Sequence, residues 1–166
     1  MAIALKKGFS LKLADEVFLV VATLHQENPD AEDFSVKQIM DRANELRLNG
    51  EVRPGFITHV RMHCVANLAP NPGEYRMLYA SGKSRRRLLM KTDVANRQRN
   101  GKVFPELRDL DPRYFNLVSW ARGRYEASPE PPSFLDQLLA LRGSGKELWA
   151  DEHADEYVAR LRSDWD

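Results

Sequence analysis

The chain has 166 residues, a net charge of +1 and 43% hydrophobic residues, enough for one domain of about 100–150 residues with an extension and for a true core. Its longest apolar run, "VFLVVATL" from Val17 to Leu24, falls far short of the ~18–20 residues of a membrane span, and "MAIALKKGFS" lacks a secretory signal. The single cysteine, Cys64, can form neither an intramolecular disulfide nor a cysteine-rich zinc site, which fits a reducing cytoplasmic compartment.

In chain order, the first element is a helix over about Lys12 to Gln26, where Leu13, Val17, Val20, Val21 and Leu24 recur at helical spacing and "NPD" stops the pattern. Ser35 is an N-cap for a second helix, "VKQIMDRANELR", with Val36, Ile39, Met40, Ala43 and Leu46 on one stripe; Asn49-Gly50 breaks the chain. A third helix starts near Pro54 and carries "FITHVRMHCVANL", with Ile57, Val60, Cys64 and Leu68 as its core side, up to the proline-rich "APNPGE". The period then changes. "YRMLYASGKSRRRLLM" holds two short runs around Ser81-Gly82-Lys83 and predicts a β-hairpin. Asp111-Pro112 caps a further helix, "RYFNLVSWARGRYE", whose Phe115, Val118 and Trp120 can cover the domain.

The expected fold class is therefore mostly α with a small β-hairpin. Three helices followed by a basic hairpin is the layout of a winged helix-turn-helix, in which the third helix enters the major groove and the hairpin lies along phosphates. "ASPEPP" is the expected linker, giving a body over 1–126, a linker over 127–132 and a helical C-terminal tail over 133–166.

Charge is segregated along the chain. Residues 83–102 carry +7 (Lys83, Arg85, Arg86, Arg87, Lys91, Arg97, Arg99 and Lys102 against Asp93), whereas residues 126–166 carry −6. Such asymmetry predicts a polyanion-binding body with an acidic arm. The candidate double-stranded DNA contacts are Thr58, His59 and Met62 on the outward side of the third helix, which also holds Ala66, Arg61 on its flank with His63, and Lys83, Arg85, Arg86 and Arg87 on the hairpin. Arg85, Arg86 and Arg87 alternate faces on a strand, so the outward members are expected to outnumber nearby carboxylate partners. A plain solvated helix face and a charged strand edge are the competing readings.

His59 and His63 stand at i and i+4, but "HVRMH" lacks the glutamate of a zinc protease helix and offers no third ligand, so no metal or cofactor is expected. No Gly-x-Ser-x-Gly elbow or acid/base carboxylate pair is present, which disfavours an enzyme. Gly143-Ser144-Gly145-Lys146 is too compressed for a phosphate loop, and Glu147 follows where a hydroxyl belongs. It follows the helical pattern "SFLDQLLALR", with Ser133 as N-cap and Gly143 as the terminating glycine. Beyond it, Tyr157, Val158, Leu161 and Trp165 make a narrow apolar stripe on a helix from about Asp155, with Leu148 and Trp149 as an upstream anchor. A short helix is marginal alone in water, so that stripe needs a surface, either on its own domain or in a partner's groove.

"LLALRGSGKELWADEHADEYVARLRSDWD" resembles the C-terminal segment of VapB-type antitoxins, covering residues 138–166. "THVRMHCVANLAPNPGEYRMLYASGKSRRRL" resembles an uncharacterised winged-helix family related to HARE-type domains, over residues 10–126. The first resemblance implies a tail that neutralises a PIN-domain (VapC-type) ribonuclease toxin, with Leu148, Trp149, Tyr157, Leu161 and Trp165 as apolar anchors. It implies a blocking cation at the toxin's carboxylates, for which Lys146, Arg160 and Arg162 are all candidates. VapB antitoxins usually carry a ribbon-helix-helix or AbrB-like DNA-binding part, and this body departs from that. The expectation is an antitoxin and DNA-binding regulator of transcription, as a homo-oligomer or a hetero-oligomer with its toxin. A stand-alone winged-helix regulator whose tail is an intramolecular lid is the alternative, and a specificity module of a restriction system is a third.

Overall fold

A computed structural model describes residues 11–127, 135, 138–139, 141–142 and 154–163. The chain divides into two compact units, Met1–Pro129 and Glu130–Asp166, a division that falls within the 127–132 stretch.

The first unit is built around α1 (Leu13–Glu27), which is buried nearly all round, from Val17 to Ala22 without interruption. A continuous apolar run makes this possible, because every face of the helix has something to bury against. Its first turn is acidic, which suits the positive end of the helix dipole, and both acids are buried with partners. Asp15 pairs with Lys102 Nζ at 2.6 Å, and Glu16 accepts from Arg53 Nε at 3.1 Å. Glycine at 101 brings Lys102 to this place. Its N–H donates to the Glu74 carbonyl at 2.9 Å, and a β-carbon there would stand 2.3 Å from that oxygen.

A two-residue strand β1 (Phe34–Ser35) precedes α2 (Val36–Leu46). Ser35 closes a capping box: Gln38 N–H donates to Ser35 Oγ at 3.1 Å, and Ser35 N–H donates to Gln38 Oε1 at 2.8 Å. Val36, Ile39 and Ala43 face the core, with Met40 and Leu46 partly covered. The helix stops earlier than Asn49-Gly50, at Arg47, which adopts the left-handed conformation at φ 44°.

The third helical segment is shorter than the sequence predicts. One α turn, α3 (Phe56–Thr58), runs into a π turn over His59–His63, and the Cys64 N–H donates to the His59 carbonyl. Helical structure ends there, so Ala66, expected on the outward helix face, is wholly buried. Its N–H donates to the Leu78 carbonyl at 2.7 Å, and its own carbonyl accepts from Asn96 N–H at 2.8 Å. Cys64 is buried, which pushes its thiol up to about 12.

The hairpin consists of β2 (Leu78–Gly82) and β3 (Arg85–Leu88), antiparallel, with Leu78 opposite Leu88 and Ala80 opposite Arg86 and an irregularity between Ala80 and Gly82. β1 adds to the other side of β3, Phe34 opposite Arg86, so the sheet order is β1-β3-β2. The 3₁₀ turns Leu107–Asp109 and Pro112–Tyr114 lead into α4 (Phe115–Glu126), and Asp111 caps the second turn rather than α4 directly. Val118 and Ala121 are the buried part of α4; Phe115 and Trp120 are half-covered. Phe104 joins the layers, edge-on to Phe18 at 6.0 Å and to Tyr125 at 5.3 Å.

In the second unit, α5 (Ala154–Ser163) is described, as are the helical Leu135, Leu138 and Leu139. No described helix is long and apolar enough to cross a membrane.

Candidate functional site

The third helical segment and the hairpin meet through Arg86. As the inward residue of a central strand, Arg86 is 4% exposed and faces the end of the π turn. Its guanidinium donates to the carbonyls of Val60 (3.0 Å), Arg61 (3.1 Å), Gly82 (3.2 Å) and Arg85 (2.8 Å). Burial first, and the neighbouring charge of Arg61 second, pull it below the ordinary guanidinium value, but an arginine stays charged in any protein. Arg86 therefore caps the carbonyl end of a helical turn, where a cation is favoured. It is not available to a phosphate.

Its neighbours on β3 are also engaged, which corrects the expectation that carboxylates would be too few. Arg85 bonds Asp33 through Nε at 2.6 Å, and that contact, with a hydroxyl bond from Ser81, holds the Asp33 carboxyl below its usual range. Arg87 makes a two-pronged bond to Asp93, 2.6 Å at each nitrogen, and its guanidinium lies 4.5 Å from the centre of the Tyr79 ring. The 83–102 segment is thus basic in sequence and largely self-satisfied in space. Lys91 meets Glu126 at 3.3 Å, Lys102 meets Asp15, and Arg99 is buried among carbonyls.

What stays outward is narrower. Arg61 and Met62 are exposed on the π turn, Lys83 on the hairpin turn and Arg97 on the loop after β3. The side chains of Arg61, Lys83 and Arg97 make no hydrogen bond or ion pair with any described residue. Arg85 keeps about half its side chain exposed while paired. Thr58 is half-buried. His59 is half-buried too, with Nδ1 3.0 Å from the Gly55 carbonyl; this contact puts the proton on Nδ1, and burial lowers the ring's basicity. His59 and His63 stack edge to face at 4.8 Å. Among the described residues no group of three His, Cys, Asp or Glu side chains is placed to hold a metal ion.

In the second unit, Leu135, Leu138, Leu139 and Leu141 are exposed, between 47% and 63%. Val158, Arg160 and Arg162 are exposed on α5. Tyr157 and Leu161 lie on α5, but their side chains, like the whole of Lys146, Leu148, Trp149 and Trp165, are outside the described residues. The leucine stripe is the feature that sequence reading passed over. Its signal is the helical spacing of 135, 138 and 139.

No protein-family model matches the chain, and neither a curated protein nor a solved structure does.

Proposed function

We propose that residues 1–129 form a winged-helix module that binds double-stranded DNA, and that the following unit is an antitoxin-type arm that neutralises a PIN-domain ribonuclease. For the body, the support is the order helix, short strand, helix, helix, hairpin, with the short strand added to the far side of the hairpin. In that arrangement the third helix and the hairpin turn form one face, and Arg61, Met62 and Lys83 lie on it. The contact set expected from sequence shrinks accordingly, with Arg86 removed and Arg87 committed to Asp93.

The observation that carries the arm is its row of exposed leucines, in a segment with a net charge of −5. Exposed leucines at helical spacing are costly to leave in water, about 25 cal/mol for each Å² a partner could cover. The acidic surround selects a partner cleft with a basic rim.

The test is a truncation after Ala127. The shortened protein keeps its affinity for duplex DNA and loses capture and inhibition of a PIN-type ribonuclease from the native host. Loss of both activities, or of neither, contradicts the division of labour.

A further inference from the structure

The π turn ends between two arms of the chain. Its last four carbonyls belong to Val60, Arg61, Met62 and His63. Arg86, from the hairpin, takes the first two. Arg99 takes the second two, at 2.8 and 2.9 Å. Successive carbonyls of a helical turn stand at different angles about its axis, so the two guanidinium groups reach the helix end from different sides.

Arg99 belongs to a tight turn, residues 96–99, closed by its N–H on the Asn96 carbonyl at 3.0 Å and by Gln98 N–H on Asn96 Oδ1 at 3.0 Å. The turn is fixed to the body by Asn96 N–H on the Ala66 carbonyl, and by Arg99 donating further to the carbonyls of Leu68, Tyr75 and Ala69. Arg99 is 2% exposed and makes no ion pair with a carboxylate among the described residues. Carbonyl dipoles satisfy its donors without cancelling its charge, and the same holds for Arg86. Two net positive charges therefore sit just beneath the surface at the end of the third helix. Glu74 is the acid whose charge reaches Arg99. Each arm presents one exposed cation whose side chain has no described partner: Lys83 on the hairpin turn and Arg97 in the 96–99 turn.

We infer that the 96–99 turn is a second phosphate-contacting arm, in which Arg97 bonds a backbone phosphate of duplex DNA on a different side of the third helix from the hairpin. This rests on the DNA-binding reading of the body. The rigid anchoring by Arg99 holds the backbone of the turn in place, so only the Arg97 side chain has to be ordered on binding, and the buried charges add a positive field that attracts a polyanion.

The experiment titrates the full chain onto a short mixed-sequence DNA duplex by fluorescence anisotropy at several salt concentrations. Variants are Arg61→Ala, Lys83→Ala, Arg97→Ala and Arg97→Lys. Arg97→Ala is expected to bind about fivefold more weakly at low salt, on every duplex sequence, with the slope of log K against log salt shallower by about one. Arg97→Lys keeps most of the affinity, and both variants melt as the parent does, since Arg97 has no described partner to lose. If Arg61→Ala and Lys83→Ala weaken binding while Arg97→Ala does not, the second arm is refuted and the DNA-binding reading stands. If the parent does not bind, or none of the alanine variants weakens it, that reading fails and the second arm falls with it.

Discussion

The two units dispose of their side chains in opposite ways. The first takes charge inside: Asp15, Glu16, Arg86 and Arg99 are all buried, the two acids each beside a cation and the two arginines among carbonyls. The second leaves apolar groups outside, with Leu135, Leu138, Leu139 and Leu141 open to solvent. A charge count along the chain therefore overstates the cationic surface of the first unit. An apolar count likewise overstates how much of the second unit is core. The proposed function rests on the remainder in each case, the few cations of one without a described partner and the exposed leucines of the other.

That contrast breaks most sharply at Arg99. Replacing it by alanine strips five carbonyls of their donor and leaves a cavity where the 96–99 turn, the π turn and residues 68–75 converge. The loss should reach about 4 kcal/mol or more, a large part of the whole stability of a domain this size. Urea denaturation of the full chain measures it. Arg86→Ala should follow at about 3 kcal/mol for four carbonyls, so a triple change at Arg85, Arg86 and Arg87 would report lost folding as lost DNA binding. Lys83→Ala and Arg61→Ala are the informative substitutions, because neither side chain has a described partner.

The Asp15–Lys102 pair is next. Lys102→Met leaves a fully buried carboxylate uncompensated, at a cost of about 3 kcal/mol, and adding Asp15→Asn should return much of it. A double-mutant cycle of denaturation midpoints checks the coupling. No recovery in the double variant would mean that Lys102 contributes through its aliphatic stem instead.

His25 sharpens the picture by pH. It is fully buried, edge-on to Phe34, and its Nε2 accepts from the Leu88 N–H at 3.3 Å. Protonation would set a donor against a donor. Burial and then the charge of Arg124, with Arg87 adding and Asp33 opposing, lower the ring to about 4 from an ordinary 6.5. Because the folded value is depressed, the unfolded chain binds the extra proton first. The histidine's contribution is complete above about pH 6.5 and is lost as pH falls towards 4, on the order of 2–3 kcal/mol. His25→Leu should be less stable at pH 7 and should show a flatter decline of urea midpoint with acid; an unchanged slope would place the acid sensitivity elsewhere.

The elements that were legible in the sequence are those written in local chemistry. α1, α2 with its Ser35 cap, the hairpin and α4 follow from periodicity, capping and turn residues at short range. What was not legible depends on contacts far along the chain. The two-residue β1 has no periodicity to detect, yet it converts β3 from an edge to a centre strand. Which face of β3 packs against the π turn, and so turns Arg86 inward, is equally a long-range matter. The early end of the third helix depends on Arg86 and Arg99, which lie 25 or more positions away from the carbonyls they cap there. Asp33, which pairs with Arg85 across 52 positions, is likewise invisible to a search for nearby carboxylates.

The smallest expected change in stability is the one that most directly tests the second unit. Leu135→Gln, Leu138→Gln and Leu139→Gln together remove apolar side chains that water already reaches. Surface substitutions of this kind usually change stability by less than about 0.5 kcal/mol each, so the full chain should melt almost as before. Partner capture should behave differently. Leucines seated in a cleft lose about 1.5–3 kcal/mol each when the apolar group is removed, so the triple variant should lose the ribonuclease altogether while its duplex affinity stays at the parent value. A triple variant that melts well below the parent would show these leucines to be core, and the arm would then be a domain closing on itself.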